Sequence, residues 1–275
     1  MEASGHSTES PSNGVHTVYV SDQSREIGFA TPETIAEALT YLHRDGVLVL
    51  GNAIEVEHLD RLREQLQPEA EEIAKNPTHH FNFGRHTRNM DQAPPTMVDL
   101  MFEDVWAKRI AVSILQSLLG PNLMCHYANG NTALKAEGRQ PVHSDIDKPH
   151  PLYPFAYAIN IPLSDMNVEN GSTELWPGSH RESKIDQHVT VTNEEYGLAI
   201  KPALAPSKVT LPLKSKALVD SWKANSGLEY EAHWVDGDVD HRKVNSDDVD
   251  FSTGNSKLLE LEPLMYPAPR STSSL

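Results

Sequence analysis

His143 and Asp145 stand two residues apart in the triplet His143-Ser144-Asp145, and an imidazole and a carboxylate at that spacing can share one ion. Residues i and i+2 of a strand project from the same face, so the two side chains can take adjacent corners of a coordination sphere. A second histidine brought from elsewhere would complete a 2-His-1-carboxylate triad, which suits Fe(II) and leaves positions open for a co-substrate and dioxygen. The triplet alone is a weak signal in a chain with 14 histidines and 39 acidic residues, so its surroundings must decide.

After the triplet, Phe155, Tyr157, Ile159 and Ile161 alternate with Ala156, Ala158 and Asn160. That period of two predicts a strand, packed on its bulky side and lining something confined on its small side. The run Asn170-Gly171-Ser172-Thr173-Glu174-Leu175-Trp176-Pro177-Gly178-Ser179-His180 carries two turn signals, Asn170-Gly171 and Pro177-Gly178. Asparagine and glycine tolerate positive φ, so a hairpin is expected there. His180 lies 37 residues after His143 beside a turn and is left out of the metal set.

These two motifs, joined by Ile161-Pro162-Leu163-Ser164-Asp165-Met166, resemble the phytanoyl-CoA dioxygenase family, particularly its fungal secondary-metabolite members. Phe81-Asn82-Phe83-Gly84-Arg85 and Asp45-Gly46-Val47-Leu48-Val49-Leu50 resemble it too, so that the likeness covers roughly residues 30 to 212. The resemblance implies a mainly β fold with flanking helices, a double-stranded β-helix (jelly roll, cupin-like). It also implies Fe(II), with 2-oxoglutarate as co-substrate. Gln140, three residues before His143, matches a glutamine that fungal members place near 2-oxoglutarate, where its amide can donate to a carboxylate. An exposed polar strand residue is the plainer alternative for it.

In the resembling family the third ligand is a histidine some 75 to 100 residues after the first, preceded by a strand with an aspartate and a tryptophan. Leu218-Val219-Asp220-Ser221-Trp222 resembles that strand, yet the next residue is Lys223, and an ammonium is a poor ligand for iron. His233, 90 residues after His143, offers the right residue type, and Arg242 follows nine positions later. The family anchors the far carboxylate of 2-oxoglutarate with a basic residue about ten positions past this histidine, a charge-assisted contact. The implied site is therefore His143, Asp145 and His233 for iron, with Gln140 and Arg242 for 2-oxoglutarate; His241 and His188 remain alternatives for the third ligand. Asp236, Asp238 and Asp240 alternate as in a calcium loop, but His241 stands where the glycine belongs and Asp247 where the bidentate glutamate belongs. They read as a solvated acidic turn.

The bulk properties narrow the partners. With 23 basic against 39 acidic residues the formal charge is -16, which disfavours nucleic acid and highly anionic substrates and favours a small neutral or cationic molecule. No apolar run is long enough to span a membrane. The single cysteine, Cys125, cannot form an internal disulfide, and no secretory signal or basic-centred peroxisomal tail is visible, so a cytoplasmic location is expected. Homodimerisation is left open.

A chain of 275 residues fits one domain with decorations. Residues 1 to 14 and 266 to 275 read as tails, 15 to 213 as the main domain with N-terminal helices, and 214 to 265 as a divergent C-terminal part. Thr31-Pro32-Glu33 predicts a helix start and Gly46 its stop; further helices are expected through Leu59, Leu62 and Leu66, and from Ile110 to Leu119 before Gly120-Pro121. These should brace one face of the barrel. Short strands are expected from about Leu123 to Leu213, and none after Lys214. The closing strands of the β-helix are thus not legible, as in a divergent or truncated member. Two functions follow: a dioxygenase oxidising a small, fairly apolar metabolite by hydroxylation, desaturation or ring formation, or a non-catalytic relative that binds a small molecule without a complete triad. In either case Phe81, Asn82, Phe83 and Arg85 are candidates for the pocket wall and equally for packing.

Overall fold

The computed structural model describes residues 14–125, 128–136, 140–142, 156–181, 209–230 and 232–243. The expected N-terminal helices are present, and the two for which a glycine stop was expected end at it. After a short strand β1 (Thr17–Tyr19) and helix α1 (Asp22–Ile27), α2 spans Pro32–Asp45. The Thr31 hydroxyl accepts from the Thr34 amide at 3.2 Å, Pro32 opens the first turn, and Gly46 closes the helix in the left-handed region at φ 75°. Strand β2 (Val49–Gly51) returns to pair with β1 in parallel register, Thr17 opposite Val49. Helix α3 (Val56–Ile73) continues through Pro68.

Helix α4 (Glu103–Trp106) leads into α5 (Arg109–Leu119), which ends at Gly120 and is buried on two sides. Ile110 and Ile114 join Val20, Ala30, Ala38 and Leu42 in one core, whereas Val112 packs with Leu123 and Leu228 in another. A third core joins Met101, Trp106 and Ala107 to Val209, Leu211, Val219 and Trp222. Trp106 and Trp222 stack there with ring centroids 6.3 Å apart.

Among the described residues the strands form four two-stranded ladders: β1 with β2, β3 (Asn89–Gln92) antiparallel to β5 (Gly130–Ala133), β4 (Leu123–Cys125) parallel to β7 (Leu228–Tyr230), and β6 (Val209–Pro212) parallel to β8 (Ala232–Val235). Helix outweighs strand in this part of the chain, so the expected mainly β character holds only in part, and these ladders do not by themselves close a double-stranded β-helix.

Three expectations need correction. Residues 156–162 form no strand; Tyr157 packs against the α2–α5 core while Ala156, Ala158 and Ile159 are exposed. Alternation supplies one apolar side, but a strand also needs a ladder partner for its amides and carbonyls, and no described segment provides one. Leu218–Trp222 lies not in a strand but in helix α6 (Lys216–Ser226), capped by Gly227 at φ 73°. Val219 and Trp222 are three apart and share the buried face, and Lys216 pairs with Asp220 at 2.7 Å one turn on. Strands do occur after Lys214: β7 finds its parallel partner β4 much earlier in the chain, and β8 pairs in parallel with β6 across helix α6, pairings that local periodicity does not reveal.

Candidate functional site

His143, Asp145 and His188 lie outside the described residues. Of the remaining candidates, Gln140 is half-buried just ahead of the triplet. Strand β8 fixes His233: Ala232 and Trp234 face the Trp106–Trp222 core beside Val209 and Leu211, so alternation turns His233 and its neighbour Thr210 to the opposite face. His233 is exposed there. This gives the imidazole a rigid backbone and no share in the core.

Arg242 sits in a 3-10 turn over His241–Lys243, and Asp240 grips it with a fork, Nε to Oδ1 at 2.8 Å and Nη2 to Oδ2 at 3.1 Å. Those hydrogen bonds hold the Asp240 carboxyl well below its usual range and raise the guanidinium further. Asp240 thus takes the Nε–Nη2 edge of the guanidinium, and the Nη1 side is the part left for the end of a keto diacid. The alternative ligand His241 is engaged elsewhere: it is 5% exposed and its Nε2 meets Glu69 Oε2 on α3 at 2.7 Å. That contact ties the C-terminal turn to the helical layer. Lys223 is on the exposed side of α6 with its ammonium 2.7 Å from Glu229. It therefore does not occupy a strand-borne ligand position.

Among the described residues no group of three His, Cys, Asp or Glu side chains is placed to hold a metal ion. The chemistry of the sequence-derived set, two imidazoles and one carboxylate, fits Fe(II). The exposed, core-free setting of His233 leaves its ring nitrogens accessible to such an ion.

The second motif forms the two expected turns but not the expected hairpin, since no strand flanks them within the described residues 156–181. Asn167 organises the Asn170-Gly171 turn: its carbonyl accepts from the amides of Asn170 and Ser172, both at 3.2 Å, while its own amide donates to Asn170 Oδ1 at 2.8 Å. The Gly178 amide donates to the Asp45 carbonyl at 2.7 Å, and the His180 ring lies against Gly46 where a Cβ would otherwise stand. Two segments that carried the family resemblance thus meet at the end of α2, and glycine at 46 is required twice, for its φ and for this contact.

The Phe81 to Arg85 segment mostly packs. Phe81 is buried with Ala70, Ile73 and Met90, and Arg85 lies over its ring at 4.6 Å while donating to the carbonyls of Ala74, Asn76 and Pro77. Asn82 is different. Its Nδ2 donates to Asp91 Oδ1 at 3.2 Å and to Asn131 Oδ1 at 3.1 Å, bridging two residues that face each other across the β3–β5 ladder. Asp91 is 4% exposed, and its Oδ2 and the Oδ1 of Asn89 are buried with no partner among the described residues. An orphaned buried acceptor costs about 1–3 kcal/mol, and more if charged. The sequence offered no signal for Asp91 or Asn89, because a four-residue polar strand has no distinguishing pattern.

One further group is perturbed by burial. Lys108, in the left-handed region at φ 49°, donates Nζ to the Trp106 carbonyl at 3.1 Å, and desolvation holds its pKa below the usual lysine value, with Cys125 opposing. Tyr230 donates to the same carbonyl, and burial pushes its phenol up.

Residues 42–219 match the family model described as phytanoyl-CoA dioxygenase (PhyH), and the chain belongs to that family. Its members are in general Fe(II)- and 2-oxoglutarate-dependent dioxygenases on a cupin, or jelly-roll, fold. The matched span contains His143, Asp145 and Gln140 and stops before His233 and Arg242. Among the described residues no helix is long and apolar enough to cross a membrane.

Proposed function

We propose that this chain is an Fe(II)/2-oxoglutarate-dependent dioxygenase that oxidises a small, fairly apolar metabolite in secondary metabolism. The observation that carries this reading is the family match over residues 42–219, which includes the His143-Ser144-Asp145 triplet. In this reading His143, Asp145 and His233 hold the iron. Gln140 donates its amide to one carboxylate of 2-oxoglutarate, and Arg242 receives the other on the Nη1 side of its guanidinium, beside the edge that Asp240 holds. Bound iron and 2-oxoglutarate supply the oxidation of an unactivated C–H bond; the chain's own residues bind, orient and exclude water. Asp240 presets the Arg242 guanidinium, and the His241–Glu69 contact fixes the turn that carries it. No nucleic-acid or membrane partner is invoked, the protein acts in the cytoplasm, and its occurrence as a monomer or homodimer does not enter the chemistry.

Replacing Asp145 with Ala should abolish iron-dependent conversion of 2-oxoglutarate to succinate. Unchanged turnover in Asp145→Ala would contradict the assignment. A wild-type protein that consumes no 2-oxoglutarate would instead be a small-molecule-binding relative without catalysis.

A further inference from the structure

The two faces of the β3–β5 ladder differ in chemistry. On one, Met90 is packed under α3 and Gln92 donates to the Leu66 carbonyl at 2.8 Å while accepting from Thr132 at 2.6 Å. On the other stand Asn89 and Asp91, with Asn131 directly across from Asp91. Asn131 and Ala133 are exposed, whereas Asp91 is 4% exposed. Asn82 satisfies one oxygen of Asp91 and orients it, leaving Oδ2 without a donor. Asn89 Oδ1, two residues along the same face and roughly 7 Å away by strand geometry, also lacks one. Both unmet groups are acceptors, and one belongs to a carboxylate.

We propose that Asp91 is a substrate-recognition residue that receives a protonated amine. An ammonium has three donors and no acceptor, so it can satisfy a buried carboxylate oxygen without creating a new orphan. It also neutralises a charge that is costly to bury alone. The overall charge of -16 draws cations toward the protein. The substrate class is then a small, otherwise apolar molecule carrying a basic nitrogen. This deepens the proposed dioxygenase reading and rests on it for the word substrate, but the amine site stands on the geometry of β3 and β5.

The full chain is tested with benzylammonium chloride, with benzyl alcohol as the uncharged analogue and sodium chloride as the ionic-strength control. Thermal-shift titration follows wild type and Asp91→Asn. Asparagine keeps the oxygen that accepts from Asn82 and places an amide where Oδ2 was. Benzylammonium should stabilise the wild type and bind at least about tenfold more weakly to the variant, the loss of one charge-assisted hydrogen bond. Benzyl alcohol should not discriminate between them. The ligand-free variant should melt at or above the wild-type temperature, because a residue kept for a ligand is not needed by the fold. Equal binding of the two probes, no binding of either, or a variant whose only change is a lower melting temperature would each overturn the proposal. The iron–2-oxoglutarate absorption band is read on the same samples. A band without amine discrimination leaves the dioxygenase reading standing and removes this site, and discrimination without a band does the reverse.

Discussion

The helical shell and the β3–β5 ladder deal with buried polar groups in opposite ways. In the shell the requirements are met: the Ser113 hydroxyl donates to Ile110 and accepts from the Ala30 amide, Thr31 caps α2, and Arg85 answers three carbonyls after α3. In the ladder, a buried aspartate and a neighbouring asparagine keep oxygens with no described donor. The shell is arranged for stability, whereas the ladder tolerates a cost that folding alone does not explain. Such local violations are expected at functional or strained sites.

The comparison can be broken first at the shell's densest point. Trp222→Ala should destabilise the protein by about 3–5 kcal/mol, because the ring is 1% exposed and stacks on Trp106. Denaturant unfolding reads this, and a loss below about 1 kcal/mol would mean that α6 is not part of the core. Lys223→His, one residue on, should leave iron stoichiometry unchanged, since that side chain points out from α6 toward Glu229.

Gly46→Ala comes next. A left-handed φ costs a non-glycine residue roughly 1–2 kcal/mol, and contact with the His180 ring adds to it, for a total of about 2–3 kcal/mol. In a His180→Ala background the penalty should shrink toward the backbone part, which a double-mutant cycle measures.

Lys108→Met acts in the other direction and should raise stability at neutral pH. Burial depresses the lysine pKa, so between the folded value and 10.5 the unfolded chain binds more protons and stability rises with pH. The gain from removing the charge should therefore be largest near neutrality and fade as pH approaches 10.5. Melting temperatures of both proteins across that range decide it; a constant difference would exclude a titrating cause.

Asp240→Asn should have the smallest effect on stability. The exposed ion pair contributes above the ordinary carboxylate value of 3.8 and is lost as pH falls through the lower folded value. Its readout is functional. With Arg242 no longer preset, the KM for 2-oxoglutarate should rise while kcat changes little. An unchanged KM would remove Asp240 from the co-substrate site.

What could be read from the sequence follows the same division. Helix α2 was legible from its Thr31 cap, its Gly46 stop and a 3.6-residue apolar period, α5 from its period and Gly120, and α3 from its period alone, all signals that act locally. The C-terminal part of the chain was not. Leu218 to Trp222 carries apolar residues that serve a strand or a helix equally, and only its neighbours Trp106 and Leu211 decide for the helix. Strand β7 pairs in parallel with the distant β4, and β8 pairs in parallel with β6 across an intervening helix, so their existence depends on contacts that no short window contains. For the site, the His143-Ser144-Asp145 triplet stands out by residue type alone. The exposure of His233, the Asp240 grip on Arg242 and the orphaned oxygen of Asp91 are properties of packing, visible only once the chain is folded.

The central claim is that His143, Asp145 and His233 form an iron site that accepts 2-oxoglutarate. Anaerobic titration of the apo-protein with Fe(II) and 2-oxoglutarate tests it most directly, through the visible charge-transfer band of a chelated iron–keto acid complex. The expected result is a band that saturates at one iron per chain and is lost in both His143→Ala and His233→Ala. Folded protein that gives no band, or a band that survives His233→Ala, would contradict it.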